Sequence, residues 1–305
     1  MVRALVIAAA ARAALPVLSG PVRDGAVLGA FTRAVIIGVP TPDGPRVLSL
    51  LAPTAAGVPN GVRLAAADAS VLTRHVPGGS VSVGGGRILL GGVEVRAVRS
   101  WPSRVPRAAA EHGRVEMISD TIVAMVAMVA PHASGVAGGF VAALRSALAS
   151  LPTAPVTSTA PTVRAADDRL GAAVRQLVGR GIGLTPGGDD VIAGALCGLH
   201  ATGATGRARA LATAALDDVT DRTTLLSADL LRLAADGDAC LEILGVLRAA
   251  RQPRDVLRPN QSALVVAIDR LLRVGHTSGA DLATGLAIGL RAGAQAGTRE
   301  RAEVG

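Results

Sequence analysis

The stretch that constrains this chain most runs from Gly179 to Gly198. Glycines at 179, 181, 183, 187 and 188, with Pro186 among them, forbid regular structure up to Gly188. Asp189 and Asp190 follow, then Val191-Ile192-Ala193-Gly194-Ala195-Leu196-Cys197-Gly198. That run reads as an apolar helix with two acids in its first turn, where negative charge is favoured. A glycine-rich loop feeding a helix start leaves main-chain N–H groups unpaired and aimed at one spot. Such a place suits a small anionic or carbonyl ligand.

A second stretch repeats the arrangement. Gly275-His276-Thr277-Ser278-Gly279-Ala280-Asp281 aligns with residues 183–189 as G-x-T-[PS]-G-x-D, at an offset of 92 residues (275 − 183). Each copy is followed by glycines four apart: Gly194 and Gly198 in the first, Gly285, Gly289 and Gly293 in the second. Glycines at i and i+4 share a helix face and let another backbone come close. The spacing predicts two helices crossing on their glycine faces, with both loops opening into one cleft. Gly194 is five residues after Asp189 and Gly285 four after Asp281, so the symmetry is approximate.

The rest of the chain supplies a frame for these loops. Its 305 residues, 50% hydrophobic and 18% charged, are enough for a sizeable globular core. With Trp101, Phe31 and Phe140 as the only aromatics, that core is built of Ala, Val, Leu and Ile. The texture from 17 to 100 is β. Residues 33–39 and 46–51 form a hairpin around Pro40–Pro45, and 81–83, 87–90 and 93–98 are strands joined by Gly84-Gly85-Gly86 and Gly91-Gly92. These turns favour an antiparallel sheet or small barrel. The opening run from Met1 to Ala10 reads as a first helix packing on the domain, its lone Arg3 being a poor signal-peptide n-region.

From 108 onward the texture is helical, with a break at 131–135 and connecting loops at 151–162 and 251–260. The expected class is α+β: a β-rich domain over 1–105 and a helical domain over 106–305 that carries both loops. No apolar run is long enough to span a bilayer.

Composition removes several chemistries. Every one of the 31 basic residues is arginine, so a Walker-type lysine, a pyridoxal phosphate Schiff base and a lysine nucleophile are excluded, and the lack of tyrosine excludes tyrosine acid/base work. The +8 charge is spread singly without interleaved aromatics, which argues against nucleic acid and fits a small anionic substrate. Cys197 and Cys240 have no metal-ligand spacing and read as buried thiols in a reducing, cytoplasmic setting. His75, His112, His132 and His200 have no acidic or thiol companions at metal spacing, and G-x-S-x-G is absent.

The candidate site therefore gathers at the two loops. Asp189 and Asp190 either cap their helix or accept hydrogen bonds from a ligand N–H, with Mg²⁺ as an option between carboxylates and ligand. Thr185, Gly187, Gly188, Thr277, Ser278, Gly279 and Asp281 would seat the ligand. His276 could act as a general acid or polarise a carbonyl. Thr223, Thr224 and Ser227 could line the same cleft.

The run Gly181-Ile182-Gly183-Leu184-Thr185-Pro186-Gly187-Gly188-Asp189-Asp190-Val191-Ile192-Ala193-Gly194 resembles the G-x-G-L-T-P-[SG]-G-D-D-x-[LI]-x-G signature of a family long catalogued without a function. One member is the small subunit of the oxamate carbamoyltransferase of allantoin (purine) catabolism. Thr223-Thr224-x-x-Ser227 and the 275–281 segment match further motifs of that family in the same order. The resemblance implies carbamoyl transfer between phosphate and an amide nitrogen, within a complex of different subunits. Two other readings stay open: a non-catalytic scaffolding or ligand-binding subunit whose glycine-rich helices form a subunit contact, and a metal-dependent hydrolase.

Overall fold

The computed structural model of the chain describes residues 4–65, 71–72, 75–107, 112–129, 136, 138–152, 161–251 and 263–304. The expected break at 131–135 and most of the expected loops at 151–162 and 251–260 lie outside them. The class is α+β. The chain divides into two compact units, residues 1–104 with 238–241 and residues 105–237 with 242–305.

The first unit is a closed eight-stranded barrel. Its strands are β1 (Ala4–Ala11), β2 (Arg23–Phe31), β3 (Ala34–Val39), β4 (Arg46–Leu51), β5 (Gly61–Leu64), β6 (Ser80–Gly84), β7 (Arg87–Leu90) and β8 (Val93–Trp101), in the order β1-β5-β4-β3-β2-β6-β7-β8. The expected hairpins form, with Val39 opposite Arg46 and Leu90 opposite Val93 across the Gly91-Gly92 turn. Two pairings are parallel, β1 with β8 and β4 with β5, so the barrel is not purely antiparallel. Its interior is filled by inward residues such as Val35, Ile37, Leu48, Leu50, Val62 and Ile88.

The expected first helix is instead strand β1. Val6, Ala8 and Ala10 are buried while Leu5 and Ile7 are exposed, a period of two. Alanine's preference for helix is a few tenths of a kcal/mol per residue. Here it yields to a strand that completes two ladders, to β5 and β8, and leaves the sheet without an edge. Residues 238–241 return to this unit, where Ser103 Oγ donates to Asp238 Oδ1 at 2.7 Å and Ala239 N donates to Ser103 O at 2.8 Å.

The second unit is helical. After α1 (Leu15–Ser19) in the barrel come α2 (His112–Val129), α3 (Gly138–Ser150), α4 (Pro161–Leu177), α5 (Gly187–Thr202), α6 (Thr205–Leu216), α7 (Val219–Arg222), α8 (Leu225–Ala235), α9 (Leu241–Ala249), α10 (Ala263–Leu272) and α11 (Ser278–Val304). Helix α5 is apolar on nearly every side because it is the central rod, packed by α4, α6, α8 and α11. It stops at Gly203, whose φ of 76° lets its N–H turn back to the His200 carbonyl. Among the described residues no helix is long and apolar enough to cross a membrane.

Candidate functional site

Helices α5 and α11 cross on their glycine faces, as the spacing predicts. A Cβ on Gly285 would lie 2.8 Å from Val191 C and 2.9 Å from Ala195 N; one on Gly194 would lie 3.0 Å from Leu282 C and 2.8 Å from Leu286 N. These contacts are reciprocal, for each residue of one set is 91 positions from its counterpart (285 − 194, 282 − 191, 286 − 195). The same step relates Gly188 and Gly279 (279 − 188), which lie against the ends of their preceding helices at Leu177 and Leu271. Helix packing therefore corrects the offset of 92 read from the loops. The counterpart of Asp281 is Asp190, not Asp189.

That shift separates the roles of the two adjacent acids. Asp189 is 1% exposed and fully engaged within the protein. Its Oδ1 accepts from Gly179 N at 2.8 Å, and its Oδ2 accepts from Ser227 Oγ at 2.6 Å and from Thr223 Oγ1. Burial raises its pKa, while those three donors and the charge of Arg222 pull the other way. Asp189 thus ties the start of the glycine loop to the start of α8. Thr224 adds a second tie, donating from Oγ1 to Leu184 O at 2.5 Å while that oxygen caps α8 by accepting from Ser227 N.

Asp190 lies between the two helix starts. Thr185 Oγ1 and Ser278 Oγ, 3.1 Å apart, join the first loop to the second, and both hydroxyls hydrogen-bond to the Asp190 carboxyl. Its Oδ2 is buried without a hydrogen-bond partner, on a side chain whose residue is only 7% exposed. Burial raises the Asp190 pKa well above the ordinary carboxylate value, and repulsion from Asp281 and Asp189 raises it further. The charged groups that act on it are therefore both acidic.

The buried Asp281 occupies the place where a ligand anion was expected. Its Oδ2 would be 2.6 Å from a Cβ on Gly187, so the bare Gly187 backbone is what admits this carboxylate at the α5 N-terminus. Val136 lines the same spot, its Cγ2 3.2 Å from that Cβ position; the sequence held no signal for it. The Gly188 N–H is used internally, by Arg180 O at 2.9 Å. In the second turn Gly279 N donates to Val274 O, and Thr277 O accepts from the N–H groups of Ala280 and Asp281, so Thr277 serves the start of α11. His276 is exposed in that turn.

The structure thus brings Thr185, Gly187, Asp190, Ser278 and Asp281 together. Asp189, Thr223, Thr224 and Ser227 form the bracket behind them. Among the described residues no group of three or more His, Cys, Asp or Glu side chains has the arrangement of a metal site. The glycine faces expected as a subunit contact in the scaffold reading are covered within the chain by one another.

Residues 177–290 match the family model described as oxamate carbamoyltransferase subunit AllH. The segment holds both turns, the Asp189 bracket and the α5–α11 crossing, and the match bears out the family resemblance carried by the loop motif. No solved structure matches the chain.

Proposed function

We propose, taking that family as the premise, that the chain is the subunit of an oxamate-type carbamoyltransferase that holds the amide-bearing substrate, a small carboxylate-bearing amide. The observation that carries the reading is the buried, unpartnered Oδ2 of Asp190. Carboxyl oxygens and hydroxyls suit a ligand NH₂ group, which has donors to spare. They suit a phosphate poorly, since acidic groups dominate the charge around Asp190, and for the same reason the substrate's own carboxylate points away from them.

In this reading an amide nitrogen donates to Asp190 Oδ2 and is oriented by the Thr185 and Ser278 hydroxyls. Carbamoyl transfer forms a bond from that nitrogen to the carbamoyl carbon and breaks the bond from that carbon to its leaving group. The proton lost by nitrogen passes to Asp190. A carboxylate whose pKa is raised is a stronger base than a solvated one, which favours the transfer. Asp189 is a positioning residue that acts through the loop. The runs of glycine supply shape, not charge.

The test is the pH dependence of carbamoyl transfer to oxamate by the assembled enzyme. Asp190→Asn should lower kcat/KM by about 10²–10⁴, the range for loss of a general base. It should also remove an acid-side limb that lies above the ordinary carboxylate range. A variant with unchanged kcat/KM and an unchanged profile rules the role out.

A further inference from the structure

The turn that leads into Thr185 carries an apolar group that the other described residues leave uncovered. Ile182 is 88% exposed and Leu184 40% exposed, in a protein whose other large side chains mostly fill cores. We infer that the 181–184 turn is the seat of another subunit of the enzyme, one that meets it with an apolar socket bordered by arginine or lysine. This inference rests on the proposed carbamoyltransferase reading.

Three observations carry it. The turn is shaped, not slack: Gly181 and Gly183, on either side of Ile182, have φ of 126° and 94°, Leu184 O is held by Thr224, and Arg180 O is held by Gly188 N. A rigid apolar tip loses little conformational freedom on docking. Next, the turn is continuous with the site, because Thr185 follows Leu184 and bonds Ser278 beside Asp190.

Finally, among the described residues the charges acting on Asp190 do not supply what the second reactant requires. A carbamoyl donor with an anionic leaving group needs a cation, yet the charges acting on Asp190 are acidic. Of the arginines nearest in sequence, Arg222 acts on Asp189, and both Arg180 and Arg222 have partners of their own. Arg180 lies 4.3 Å over the Phe140 ring and donates to Gln176 O, and Arg222 donates to the Asp217 and Arg175 carbonyls. A subunit seated on the turn brings a positive charge beside it. The family's description as a subunit supplies the partner.

The experiment co-expresses the full chain with the remaining subunits of the oxamate carbamoyltransferase and measures their affinity for wild type, Ile182→Asp and Leu184→Asp. Val266→Asp, at an exposed position on α10, is the control. Ile182→Asp should weaken assembly about tenfold or more, the scale of an interface hot spot. The control should assemble like wild type, and all three variants should keep the wild-type Tm and the isolated chain's binding of oxamate. Unchanged assembly by both turn variants overturns the inference, as does a loss confined to self-association, which makes the occupant a second copy. Loss of oxamate binding in Asp190→Asn is read separately, so the docking surface and the amide site stand or fall on different measurements.

Discussion

Replacing Gly285 by alanine tests the crossing of α5 and α11 with a single methyl group. That methyl would lie 2.8 Å from Val191 C and 2.9 Å from Ala195 N, and nearer still to Val191 O. Ordinary contacts begin at about 3.5 Å, so at least half an ångström is missing. All three are backbone atoms of a buried helix, which cannot swing aside as a side chain would. The helices must part, which undoes packing along the whole seam. Overpacking costs about 1–3 kcal/mol when neighbours can adjust, and this case belongs at the top of that range.

At about 2–4 °C per kcal/mol for a domain of this size, Tm should fall by roughly 6–12 °C. Gly194→Ala should cost about as much, because the contact is reciprocal. The double variant should cost clearly less than the sum, since helices already parted accommodate a second methyl. Gly206→Ala on α6, with nothing within 4 Å of its Cβ position, is the control and should be neutral or stabilising by about 0.4–1 kcal/mol. The assay is thermal unfolding of the purified chain followed by circular dichroism. A drop below about 1 °C for Gly285→Ala, or strict additivity in the double variant, refutes the packing argument.

Other consequences concern the acids. Gly187→Ala would set a methyl 2.6 Å from Asp281 Oδ2 and displace that carboxylate, so oxamate affinity should fall about tenfold or more by calorimetry while the chain stays folded. Asp189→Ala leaves the Gly179 N–H and the Ser227 hydroxyl without their acceptor and should destabilise by about 1–3 kcal/mol in urea unfolding. Asp190 differs in that burial outweighs its two hydroxyl partners by far and leaves one oxygen with no partner. Its pKa is raised on folding, so the folded chain binds more protons than the unfolded one, and stability falls as pH rises from about 3.9 through the folded value. Asp190→Asn should therefore raise Tm at neutral pH and flatten its pH dependence, while kcat/KM falls as given above. A lower Tm for that variant at pH 7 contradicts the electrostatic account.

Much of this arrangement was legible in the chain, and the reason is local. Glycine four residues from glycine has one physical use on a helix, and the paired turns announced where the two helices begin. Less legible was which acid does what. Adjacent helical residues point about 100° apart, and only the position of α8 decides that Asp189 faces Ser227 while Asp190 faces Ser278. The turns also align one residue away from the helices, so the motif alone paired Asp281 with the wrong aspartate. In the barrel, β1 was hidden by its alanines. The four residues of β5 have no hairpin partner; their neighbours β4 and β1 are set by long-range closure that no local pattern records.

The proposed role of Asp190 Oδ2 is to receive an amide N–H between the two turns. Its most direct test is a crystal structure of the full chain soaked with oxamate. The account predicts the amide nitrogen within about 2.7–3.2 Å of Asp190 Oδ2, with the Thr185 and Ser278 hydroxyls beside it. Oxamate bound elsewhere, or an empty pair of turns at saturating oxamate, contradicts it.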